Sequence, residues 1–122
     1  MTDPTILVVD DEDTVRLVVG RMLRASGFAV LEARDGRAAL QMVQQRDHPP
    51  DLILTDVVMP LLNGGELASR VRASRPDQRI LLMSAYALED LRQRGLYPEE
   101  LLFVQKPFTV EQLARAVRSA LA

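Results

Sequence analysis

Five side chains suggest chemistry by their kind and their spacing: Asp10, Asp11, Asp56, Ser84 and Lys106. Each follows a short apolar run. Ile6-Leu7-Val8-Val9 precedes Asp10-Asp11, Leu52-Ile53-Leu54 and Thr55 precede Asp56, Ile80-Leu81-Leu82-Met83 precedes Ser84, and Leu101-Leu102-Phe103-Val104 with Gln105 precedes Lys106. If the runs are strands of one parallel sheet, their C-terminal ends share an edge, and ligand sites of open α/β sheets form at that edge. Carboxylates gathered there repel one another, so at least one would have a raised pKa. A hard divalent cation removes the conflict. Mg²⁺ suits a few carboxylate oxygens supplemented by a carbonyl and water. The aspartates, Lys106 and one such cation sum to neutrality, and a neutral site can accept a phosphoryl group. A carboxylate is a competent nucleophile on phosphorus. Phosphoryl transfer then asks mainly for positioning and for neutralisation of the equatorial oxygens. Lys106 and the cation would neutralise, and the Ser84 hydroxyl would donate to a phosphoryl oxygen.

Taken singly, each residue has a plainer explanation. Asp10-Asp11 could simply favour a helix N-terminus through the dipole. Asp56 could be a turn residue, Ser84 a helix cap and Lys106-Pro107 a surface turn. Their joint placement at the ends of separate runs outweighs those explanations. Lys106 adds weight, because the 15 basic residues are otherwise all arginine. A bias toward arginine explains why lysine is scarce but not where the one lysine sits.

The elements that must position these residues are legible from periodicity. Val15, Val18, Val19, Met22 and Leu23 recur on one helical face, and Gly27 is placed to end that helix. Residues 28–31 read as a second strand, and Asp35 caps a helix with Ala39, Met42 and Val43 inward. Asn63 with Glu66 forms a capping-box pattern ahead of Leu67 and Val71, and Pro76 closes that element. Residues 88–94 read as a short helix broken by Gly95, Tyr97 and Pro98. Thr109 with Gln112 is a second capping box, ahead of Leu113, Ala116, Val117, Ala120 and Leu121. Strands alternating with helices predict βαβ units and a parallel sheet. Strands with continuous apolar runs are expected at its centre, buried on both faces. One domain over residues 1–122 is expected, since no repeat or linker interrupts the pattern.

Composition narrows the classes. At 122 residues, 48% hydrophobic and 26% charged, the chain suits one compact domain with a real core. Cysteine is absent, which excludes disulfides and thiol chemistry. The one histidine, His48, stands beside Pro49-Pro50 and reads as a surface loop residue. A net charge of −2 gives no global basic field for nucleic acid. Apolar runs are far shorter than the ~20 residues of a membrane helix. The start, Met1-Thr2-Asp3-Pro4, lacks a signal-peptide pattern, so a cytoplasmic location is expected.

The stretches 6–12, 54–60, 83–85 and 106–108 together resemble the receiver domain of bacterial response regulators, a likeness running from Ile6 to about Leu121. The fold this implies is α/β, a doubly wound five-stranded parallel sheet of order 2-1-3-4-5, flavodoxin-like. The resemblance implies Asp56 as phosphoacceptor, Asp11 as a direct Mg²⁺ ligand, Asp10 acting through water, and the Val58 backbone carbonyl as a further ligand. It implies that Ser84 and Lys106 contact the phosphoryl oxygens, that Lys106-Pro107 is a cis bond, and that Phe103 is the switch aromatic that turns inward when the Ser84 hydroxyl moves. Plain core packing is the alternative for Phe103. Val58 and Tyr86 would lie near the attacking water, where a bulky Tyr86 would shield the acyl phosphate. The stretches 54–60, 82–86 and 104–108 look most like receivers of hybrid sensor kinases. The implied partner is a sensor histidine kinase or a histidine phosphotransfer protein. Ser84 stands where threonine is commoner, and the break at Gly95 shortens the usual fourth helix.

Two other classes compete. Asp11-Glu12-Asp13-Thr14-Val15 fits the loose nucleophile pattern of haloacid-dehalogenase-type phosphatases, although the chain is short for that fold and Asp56 would have no role. A phosphorylation-independent scaffold would need none of the five residues. The receiver reading describes a signalling module that catalyses only its own phosphorylation and dephosphorylation, not an enzyme acting on an outside metabolite.

Overall fold

A computed structural model describes residues 3–122; Met1 and Thr2, the start of the stretch read above as lacking a signal peptide, lie outside them. The chain alternates β1 (Thr5–Val9), α1 (Asp13–Ala25), β2 (Ala29–Ala33), α2 (Gly36–Gln45), β3 (Leu52–Asp56), α3 (Gly64–Ser74), β4 (Ile80–Ser84), α4 (Leu88–Gln93), β5 (Leu102–Gln105) and α5 (Val110–Leu121). All neighbouring strands pair in parallel, in the order β2-β1-β3-β4-β5.

The continuous apolar runs of β1, β3 and β4 follow from a sheet covered on both faces. Successive side chains point to opposite sides. Ile6, Val8, Leu52, Leu54, Leu81 and Met83 therefore join the core under α1 and α5. Leu7, Val9, Ile53, Ile80 and Leu82 join the core under α2 and α3. All five residues of β3 and of β4 are buried.

The run 101–104 is as apolar as the central strands, yet it supplies the edge strand, where the implied order 2-1-3-4-5 puts it. β5 pairs only with β4, at the sheet edge, and Leu102 is 51% exposed. Leu101 is buried, but it precedes the strand and fills the core under α2 and α3. The run is thus apolar for two different reasons, and only one of them is sheet burial. β2 also begins one residue later than its apolar pattern suggests. Phe28 closes the end of α1, donating its N–H to the Leu23 carbonyl at 3.1 Å while its ring joins the α1–α5 core.

The helix boundaries follow their capping residues. The Asp35 carboxylate accepts from the Ala38 N–H at 2.7 Å. Both capping boxes form, Asn63 with Glu66 and Thr109 with Gln112. Helix α4 has six residues and stops where Gly95 adopts φ +70°, with the Leu96 N–H closing onto the Leu91 carbonyl at 2.8 Å. That positive φ suits glycine and terminates a helix in the Schellman manner. Asn63→Ala removes one half of the first box, and urea denaturation is expected to show a loss of about 1 kcal/mol.

Candidate functional site

The three carboxylates meet where the β1 and β3 ladders end. Val9, the last residue of β1, pairs with Ala33 and Thr55, and the chain beyond it turns away from the sheet as Asp10-Asp11. Asp56 closes β3 opposite Met83. One oxygen from each of Asp10, Asp11 and Asp56 lies within 4.8 Å of the others. Lys106 reaches this cluster from the end of β5. Its amide N–H donates to the Ser84 carbonyl at 2.8 Å, extending the β4–β5 pairing, and its Nζ lies 2.8 Å from Asp10 Oδ2 and 3.5 Å from Asp56 Oδ2.

Each carboxylate is held differently. Asp10 is fully buried, with Oδ1 accepting from the Glu12 N–H at 2.9 Å and Oδ2 from Lys106. Asp56 Oδ1 accepts from its neighbour's Val57 N–H at 2.9 Å, which leaves Oδ2 on the Lys106 side. Asp11 is exposed, and among the described residues nothing hydrogen-bonds or pairs with its carboxylate. Burial pushes the Asp56 carboxyl up to about 6; Lys106 opposes that shift, and the charge of Asp10 reinforces it. One ammonium therefore does not neutralise this cluster. The unsatisfied charge, the all-oxygen donor set and the free Asp11 carboxylate fit a hard divalent cation such as Mg²⁺.

The sequence profile of the response regulator receiver domain matches residues 6–118. The chain belongs to the response regulator receiver domain family. This receiver domain is 37% identical over 118 residues to the sensor kinase CckA of Brucella abortus, covering 96% of this chain and 12% of that protein. It is 36% identical over 121 residues to the transcriptional regulatory protein PrrA of Mycobacterium tuberculosis, covering 99% of this chain and 51% of that one. The chain thus spans about half or less of these curated relatives. Among solved structures, the Vibrio cholerae chemotaxis protein CheY4 superposes with a TM-score of 0.86 at 30% identity, covering 98% of this chain and all of that one. The receiver domain of the hybrid histidine kinase CckA superposes with a TM-score of 0.79 at 34% identity, covering 97% and 99%. The phosphatase alternative falls with this membership. Receiver domains of two-component systems accept phosphoryl groups from histidine kinases, and they typically bind Mg²⁺ at an aspartate cluster. No helix of the described residues is long and apolar enough to cross a membrane.

The remaining residues singled out in the receiver sequence are not members of the carboxylate cluster. Ser84 is fully buried at the end of β4, with its hydroxyl oxygen accepting from the Tyr86 N–H at 3.1 Å. That arrangement leaves the hydroxyl hydrogen free to donate. Val58 follows Asp56 in the β3–α3 loop, and among the described residues nothing donates to its carbonyl. The Lys106–Pro107 bond is cis. Tyr86 is 40% exposed with the Arg94 guanidinium 4.7 Å from its ring centre. Phe103, half-buried on β5, meets Tyr97 edge-on at 6.1 Å, and the Tyr97 hydroxyl donates to the Leu101 carbonyl at 2.7 Å. His48 is exposed.

Three residues around the site were not identified from the sequence. The Thr55 hydroxyl, buried in β3, donates to the Asp56 carbonyl at 2.9 Å. Gly64 opens α3 against the Asp56 backbone, with its N–H on the Val57 carbonyl at 2.8 Å. Arg16 reaches back from α1 to the Asp10 carbonyl. For Arg16 a signal existed, a charge one residue beyond Val15 and three beyond Asp13, but an arginine on a helix ordinarily reads as solvated surface. For Gly64 the Asn63 cap accounted for the local pattern and hid the contact.

Proposed function

We propose that this receiver domain takes a phosphoryl group from a phosphohistidine onto Asp56, and that the modified carboxyl resets the surface around Ser84 and Phe103. The observation that carries the reading is the Lys106 ammonium lying between Asp10 and Asp56, with Asp11 completing the acidic group. Asp56 Oδ2 attacks phosphorus, the bond from phosphorus to the imidazole nitrogen breaks, and its electron pair returns to the ring, which takes up a proton. Water later cleaves the acyl phosphate and regenerates the carboxylate. Asp11, Asp56 and the Val58 carbonyl would hold Mg²⁺, with Asp10 acting through water, and the ion would neutralise charge on the transferring oxygens. Lys106 carries the other positive charge, and Ser84 supplies the hydroxyl donor. The domain then catalyses only its own phosphorylation and dephosphorylation. The likeness to the receiver of a hybrid kinase supports a histidine kinase or a histidine phosphotransfer protein as the donor, and a cytoplasmic location goes with that reading.

Intact mass after incubation with acetyl phosphate tests the chemistry. The expected result is one added phosphoryl group in wild type with Mg²⁺, none after chelation, and none in Asp56→Asn. An equal adduct in Asp56→Asn would move the acceptor to another residue and overturn the assignment. Chain fluorescence cannot replace the mass readout in the usual way, because the sequence has no tryptophan.

A further inference from the structure

Arg16 is buried deeply for a charged residue, with its side chain only 15% exposed. Its guanidinium nitrogens each have a separate partner. One terminal nitrogen donates to the Asp10 carbonyl at 2.8 Å, the other meets Asp13 Oδ1 at 2.6 Å, and Nε lies 3.4 Å from Glu32 Oε1 on β2. A planar guanidinium presents such donors in a fixed fork, which a lysine cannot reproduce.

The Asp10 carbonyl matters because of the peptide it belongs to. That peptide joins Asp10 to Asp11, so its plane determines how the Asp11 side chain leaves the backbone. The β1 ladder has ended at Val9. Past that point Asp10 is held by its N–H to the Ala33 carbonyl at 3.3 Å, by the Glu12 N–H and Lys106 on its carboxylate, and by Arg16 on its carbonyl. The Glu12 N–H reaches back across the turn from beyond Asp11, and of these contacts the one from Arg16 is made to the Asp10–Asp11 peptide itself. Asp11 itself has no partner among the described residues to orient it.

We propose that Arg16 is a positioning residue for the acidic cluster: by holding the Asp10–Asp11 peptide plane against α1 and β2, it aims the Asp11 carboxylate at the cation. This rests on the reading of the cluster as a Mg²⁺ site. It also has a sign that distinguishes it from simple electrostatics. Removing a positive charge near a cation site would tighten cation binding, whereas losing the orientation weakens it. Groups that orient a ligand from behind typically change metal affinity by about 10–100-fold when removed.

The test is calorimetric titration of MgCl₂ into the whole chain, wild type against Arg16→Met and Arg16→Lys, with urea denaturation of each in chelator. Arg16→Met is expected to weaken Mg²⁺ binding about tenfold, with Arg16→Lys recovering part of the loss through its one ammonium nitrogen. A merely structural role would lower stability in chelator and leave the affinity unchanged. Unchanged or tighter binding in Arg16→Met overturns the proposal; if Arg16→Met does not fold, the same result in Arg16→Lys overturns it. If wild type itself binds no Mg²⁺ yet takes phosphate onto Asp56, the metal site reading has failed and this inference with it. If wild type binds Mg²⁺ and both variants match it, only the role of Arg16 has failed.

Discussion

In metal-free buffer at neutral pH, Asp56→Asn is expected to be more stable than wild type. The Asp56 carboxyl is pushed from 3.8 up to about 6, first by burial and then by the Asp10 charge, with Lys106 only partly compensating. A folded-state pKa above the unfolded one means that the folded protein keeps a proton the unfolded chain has released. Asp56 is therefore harmless below the unfolded value, and stability falls as pH rises from there through the folded value. Above about 6 the full cost is in place. A shift of this size corresponds to on the order of 3 kcal/mol, and asparagine, which has the same shape and no charge, does not incur it. Urea denaturation in chelator should show the gap near pH 7.5 and show it closing near about pH 4. Mg²⁺ should then close the gap at neutral pH from the other side, because a ligand of the folded state stabilises wild type by mass action. Equal stabilities at neutral pH in chelator would contradict the account. The instability belongs to the function, since a carboxylate strained by burial and by its neighbours is relieved by whatever neutralises it.

Gly64→Ala is expected to cost about 2 kcal/mol or more and to slow phosphoryl uptake at Asp56. A Cβ at this position would stand 2.5 Å from the Asp56 carbonyl oxygen and 3.1 Å from the Val57 Cα. Both are backbone atoms of the segment that presents the acceptor, so relief requires moving that segment. Helix propensity alone would favour alanine by about 1 kcal/mol. The neighbouring position supplies the comparison. At Gly65 the nearest atom to a new Cβ is Cγ of Pro98 at 3.3 Å, in the irregular stretch after α4. Gly65→Ala is expected to be near neutral, because that contact is looser and the propensity gain offsets it. Urea denaturation of both variants and the rate of adduct formation from acetyl phosphate provide the check. A Gly64→Ala protein as stable as Gly65→Ala would refute the steric argument.

Much of the site was legible in the sequence because strand ends are marked locally. An apolar run followed by Asp10-Asp11, Asp56, Ser84 or Lys106 states where each side chain leaves the sheet. A parallel sheet then requires those ends to coincide, which is why Lys106 meets Asp10 across 96 positions. Caps were legible for the same reason: Asn63 with Glu66 and Thr109 with Gln112 lie three residues apart. The strand order came from the family resemblance, since periodicity does not say which strands are neighbours. Composition likewise does not tell an edge strand from a central one: 101–104 is a continuous apolar run, although β5 lies at the edge, as the implied order has it.

The sequence by itself therefore determined the element types, their caps and the kinds of group gathered at one end of the sheet, because each depends on residues a few positions apart. The tertiary structure alone decided how strongly Asp56 is buried, that Gly64 must lack a side chain, and that Arg16 turns inward to the Asp10 carbonyl instead of outward to water. Those outcomes depend on atoms from separate elements meeting within a few ångströms, and neither hydrophobic period nor capping chemistry records which atoms those are.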